Sequence, residues 1–72
     1  MKYVILKTQI VNDVDASKAP MNHMTIKITD KVAENEIFNV VYSSNDDTKV
    51  NDFFSVLRLA GKGLPNATLT VA

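Results

Sequence analysis

The sequence predicts a two-layer α+β fold, β-β-β-α-β, with a four-stranded, mostly antiparallel sheet and one helix on one face. Three observations predict it. Only one stretch carries a helical hydrophobic period. Four others alternate apolar and polar residues, or are rich in β-branched ones, as strands do. A single amphipathic helix can cover one face of a four-stranded sheet, which makes a stable pair of layers.

The helical stretch lies between Ser44 and Leu64. Val50, Phe53, Phe54 and Leu57, with Gly61 one turn on, form the i, i+3, i+4, i+7 stripe of a helix buried along one side. Thr48, Asn51, Asp52 and Ser55 lie opposite and suit water. Ser44 or Asn45 is expected as N-cap, with Asp46 and Asp47 at the positive end of the helix dipole and Arg58 and Lys62 near the negative end. Gly63 is expected in a left-handed conformation after the last turn. Leu59 and Leu64 would then touch, and Pro65 would prevent continuation. Val56 falls on the flank of the stripe, as core margin or contact surface.

Residues 2–11 read as the first strand. Val4, Leu6 and Ile10 share one face, and Tyr3, Ile5 and Val11 share the other with Lys7 and Gln9. Residues 12–22 have no useful period, and Pro20 with the Asn/Asp content marks a loop. Residues 23–29 alternate cleanly, with Met24, Ile26 and Ile28 against Thr25, Lys27 and Thr29. A polar turn follows at 30–35. Residues 36–43 read as a third strand, with Phe38, Val40 and Tyr42 inward and Ile37, Asn39 and Val41 outward. Residues 66–72 make a fourth, with Ala67, Leu69 and Val71 against Thr68 and Thr70. The first three strands are expected as an antiparallel meander, and the helix returns the chain so that strand four runs parallel to strand three. Pairing of strand four with strand one gives the spatial order 4-1-2-3.

This arrangement leaves Tyr3, Ile5, Ile37 and Val41 on an outer face that no second helix covers. A contiguous exposed apolar patch marks an interaction site. These four residues, with Val56, are the expected interface, and a homodimer is the expected occupant.

Length and composition set bounds on function. With 72 residues the chain is read as one domain, 1–72, and a chain this short buries only about 60% of its unfolded surface. It has no cysteine for a disulfide or a thiolate metal site, which fits a reducing cytoplasm. Eight acidic and eight basic residues cancel, which disfavours a DNA mimic and a general nucleic-acid binder alike. The apolar run after Met1 is too short for a signal peptide core or a membrane span. The expectation is a complete small gene product, an accessory or regulatory protein of the kind phages and plasmids encode.

No motif for chemistry emerges. His23 is the only histidine, so a triad would depend on it and on distant partners. Met21, His23 and Met24 are soft ligands suited to copper, but strand alternation turns His23 and Met24 to opposite faces. Asn12, Asp13 and Asp15 lack the glycine and terminal glutamate of a calcium loop. Asp30, Glu34 and Glu36 read as a solvated turn. Gly61-Lys62-Gly63 is not a phosphate loop, and it sits at a helix end rather than a start. Asn66-Ala67-Thr68 matches a glycosylation acceptor but carries no weight without a secretion signal. The expectation is a non-enzymatic, protein-binding module with no metal and no cofactor. The alternative is a single-stranded nucleic-acid binder that uses Tyr3, Lys7 and Lys27 on the outer sheet face.

Overall fold

In the computed structural model, residues 1–11 and 20–72 are described. The chain runs β1 (Lys2–Val11), β2 (Met21–Thr29), a 3-10 helix (Glu34–Asn39), β3 (Val40–Ser44), α1 (Asp47–Lys62) and β4 (Ala67–Val71). The result is a two-layer α+β fold with a four-stranded, mostly antiparallel sheet and α1 on one face. Of the expected 12–22 loop, residues 12–19, including Asn12, Asp13 and Asp15, lie outside the described residues. Met21 and Asn22 already belong to β2.

The strand order is β3-β1-β2-β4 and not 4-1-2-3. β1 is antiparallel to both β2 and β3, and β4 is parallel to β2. Strand four does run parallel to strand three, as expected. The meander fails because the chain between β2 and β3 is ten residues long. That length carries it over β1, so β3 joins the far edge instead of folding back beside β2. The 3-10 helix is this crossover, and it lies as a strap across the sheet face opposite α1. The two crossovers travel in opposite directions on opposite faces, so they share one hand.

The inner layer follows the helical stripe. Val4, Ile26 and Val50 are completely buried. Phe53 stacks on Tyr42 of β3, with ring centroids 4.6 Å apart and planes within 8°. Gly61 is buried against β4, where a Cβ would stand 3.0 Å from Leu69 Cδ2. Glycine is therefore what lets the last turn of α1 approach the edge strand.

Both helix ends depart from expectation. The N-cap is Asp46, whose carboxylate accepts from the backbone N–H groups of Thr48 and Lys49 at 2.9 and 3.4 Å. β3 continues through Ser44, so the cap falls one or two residues later. Ser44 Oγ instead accepts from the Asp46 N–H at 3.0 Å. At the other end Gly63 is right-handed, with φ −87° and ψ −5°. The Gly63 N–H donates to Ala60 O and that of Leu64 to Gly61 O, which tightens the final turn into i→i+3 bonds. Leu59 and Leu64 remain largely exposed. The left-handed residue is Asn66, at φ 53°, just before β4. Asparagine tolerates that conformation better than most side chains.

β3 is the element the alternation misplaces. Glu34–Asn39 is 3-10 helix, and the strand itself is only five residues long. Tyr42 faces Val4 and Val40 faces Ile5, which leaves Val41 unpaired in a bulge. The bulge reverses the faces, so Val40 lies on the outer side with Ile5 and not in the inner core. Phe38, expected in the core, is 98% exposed.

Candidate binding surface

The outer sheet face is where the expected contact residues were to gather. The strap divides it. Ile5, expected to be exposed, is 1% exposed because the strap covers it. A chain with one α-helix thus covers part of its second face with a crossover.

The strap is held by charge. Glu36 is its one buried residue, and Oε2 meets Lys27 Nζ at 2.6 Å and Lys7 Nζ at 3.6 Å. The two lysines stand on neighbouring strands of the same face, since Ile5 pairs with Lys27 and Lys7 with Thr25. The close contact with Lys27 holds the Glu36 carboxyl below its ordinary value. Burial opposes this, and the charges of Lys27 and Lys7 and a backbone contact at Ala33 reinforce it. Lys27 stands close but off the direction of a well-formed hydrogen bond, and Lys7 lies beyond hydrogen-bond distance. Asp30 and Glu34 stay exposed, so the three acids of this segment do not converge.

On one side of Glu36 an open polar groove of about 440 Å³ is lined by Lys7, Thr8, Gln9, His23, Thr25, Asn35 and Asn39. His23 Nδ1 lies 3.1 Å from Thr68 Oγ1 on β4. Met24 sits on the opposite face, paired with Leu69. On the other side, an open cavity of about 330 Å³ is lined by Tyr3, Asp30, Val32, Ile37 and Val40.

The expected interface is therefore only partly assembled. Tyr3 and Ile37 meet at the second cavity, and Val41 is exposed at the bulge. Ile5 lies beneath them as core. Val56 is 66% exposed but belongs to the helix layer, with Leu59 also exposed. The nucleic-acid set is split as well: Lys7 and Lys27 share one carboxylate, and Tyr3 lines the cavity on the far side of the strap.

The residue that sequence reasoning missed is Phe38. Ile37, Phe38 and Val41 are all exposed within five consecutive residues that form the strap's end and the bulge. Strand alternation turns Phe38 inward and Ile37 outward, so nothing in the pattern marks Phe38 as exposed.

No helix among the described residues is long and apolar enough to cross a membrane. Comparison with known proteins finds no family model, no curated protein and no solved structure that matches the chain.

Proposed function

We propose that this chain is a small, non-enzymatic protein-binding module that engages a partner through Ile37, Phe38 and Val41. The observation that carries the reading is the 98% exposure of Phe38 on the 3-10 helix. An aromatic ring held by backbone structure loses little freedom on binding and offers a large apolar area, which makes it an anchor for a complementary pocket. Ile37 and Val41 flank it, and Glu34 and Asn35 supply a polar margin. A fold that holds together without a disulfide suits work in a reducing cytoplasm.

The test is site-specific photocrosslinking. A photoreactive phenylalanine analogue at position 38, in the protein expressed in its native cells, should give a discrete product with one partner. The same analogue at exposed Thr48 on α1 should not. A Phe38→Asp variant should compete poorly for that partner while keeping its far-UV spectrum. Equal crosslinking from both positions, or undiminished competition by Phe38→Asp, overturns the proposal.

A further inference from the structure

We infer that the free edge of β4 is a strand-addition site for an acidic, extended segment of another protein. This does not depend on the Phe38 reading. In a parallel ladder, alternate residues turn their backbone groups to the same neighbour. The Asn22 N–H donates to Asn66 O and the Ala72 N–H donates to Ile26 O, each at 2.9 Å. These two bonds set the phase of β4 against β2. Thr68 and Thr70 turn their backbone N–H and C=O groups to β2, and Ala67, Leu69 and Val71 turn theirs away. Among the described residues, no strand lies on that side. The edge therefore offers backbone donors and acceptors in sequence, which an extended chain satisfies. Ala67–Val71 contains no charge and no proline that would blunt it.

The helix adds the selectivity. Two contacts show how α1 is turned. Phe53 stacks on Tyr42 of the β3 edge, and Asp47 reaches the other way, to Lys2 of β1, at 3.4 Å. The last turn lies over β4, where Gly61 meets Leu69. Asn51, Arg58 and Lys62 recur on the Asp47 flank at helical spacing. At the end of α1 that flank overhangs the free edge of β4. Arg58 and Lys62 are exposed there, and neither has an ion-pair partner among the described residues. They lie one turn apart, where like charges repel. β4 carries no acid to offset them.

The spacing specifies the ligand. An antiparallel segment sets its residues opposite Ala67, Leu69 and Val71 in hydrogen-bonded pairs, with their side chains on the α1 side. Alternate residues of a strand stand about 6.6–6.8 Å apart, and residues four apart on a helix about 6 Å. Two acidic residues at alternate positions thus meet Lys62, beside Gly61, and Arg58, one turn earlier. A second copy of this chain does not suit the edge. Pairing β4 with β4 about a two-fold axis at Leu69 gathers the Arg58 and Lys62 side chains of both copies on one seam.

The probe is a short peptide in which glutamate alternates with threonine, titrated into the isotope-labelled full chain and followed by NMR. The amide signals of Ala67, Leu69 and Val71 should shift and gain protection from exchange. The dissociation constant should rise by about 1.5- to 5-fold in Arg58→Gln and in Lys62→Gln. It should not change in Lys31→Gln, which removes the same charge at an exposed turn. The double variant Arg58→Glu, Lys62→Glu should instead prefer a peptide in which lysine replaces glutamate. Far-UV circular dichroism checks that each variant keeps its helix. No shift at β4, indifference to both Gln changes, or equal binding of a peptide with the same glutamates in one block overturns the inference. Loss of binding in Phe38→Asp would also overturn it, by moving the contact to the strap.

Discussion

Ile5 and Phe38 exchange the places that alternation assigns them, and replacing each in turn tests the architecture directly. Ile5 is 1% exposed, beside Val40 of β3 and Lys27 of β2 and beneath the strap. Truncating a buried isoleucine to alanine costs about 2–5 kcal/mol. At about 0.05–0.15 kcal/mol per residue, 72 residues give about 4–11 kcal/mol in total. Ile5→Ala therefore removes a large share of the stability, and the measurable variant is Ile5→Val, at about 0.5–1.5 kcal/mol. At about 4–8 °C per kcal/mol for a domain this size, the Tm should fall by about 2–12 °C. Phe38→Ala should stay within about 0.5 kcal/mol, because a 98% exposed ring has little to lose on truncation. If Phe38 were core, the same change would cost about 3–5 kcal/mol. Thermal and urea melts followed by far-UV circular dichroism decide between these cases. They should be run at low protein concentration, so that association does not add to the apparent stability. The refuting result is the reverse order, with Phe38→Ala strongly destabilised and Ile5→Val unchanged. That outcome would restore the strand expected at 36–43 and remove the strap.

Asp46→Ala should destabilise by about 0.5–2 kcal/mol, read as a lower urea midpoint with an unchanged slope, because two N–H groups lose their acceptor. Asp46→Asn keeps the acceptor and should lose only the charge–dipole part, about 0.3–1 kcal/mol. Glu36 carries a pH dependence whose sign is set by its depressed carboxyl. The unfolded chain binds its proton more readily, so the stabilisation is present above the ordinary carboxylate value of 4.5. It is lost as pH falls through the lower folded value. Urea midpoints across the acid range should therefore fall less steeply for Glu36→Gln than for the parent. An identical slope would mean that the carboxylate does not hold the strap.

The legible parts of this fold are those that one periodicity governs, the stripe from Val50 to Gly61 and the alternation from Met24 to Thr29. β1 gave its span but not the fate of its second face. Ile5 looks unpartnered until a crossover is known to lie over it. The strap defeated the reading for a related reason. Ile37 to Tyr42 alternates like a strand, yet one part is 3-10 helix and the rest is bulged. Reading a strand from residue 36 leaves only residues 30–35 as a turn, and that length gives no warning of a crossover. The sequence groups Glu36 with Asp30 and Glu34 in one polar segment, and only the fold selects Glu36 as the acid that lies over Lys7 and Lys27. The expected interface dispersed because it assumed a bare outer face.

The hairpin of β1 and β2 occupies the centre of the sheet, with one crossover strapped over each of its faces. Among the described residues neither β3 nor β4 has a second neighbour, so each can peel away by releasing a single ladder and its own crossover. The hairpin cannot be exposed until both have gone. Opening is therefore graded along β1 itself. Near Val4 the backbone has a strand on either side, and its amides exchange with solvent only when the whole domain opens. Toward Val11 the ladder has lost β3, and in the isolated chain those amides exchange through local fraying. One continuous strand thus belongs to two cooperative units, the most protected at its start and the least protected at its end.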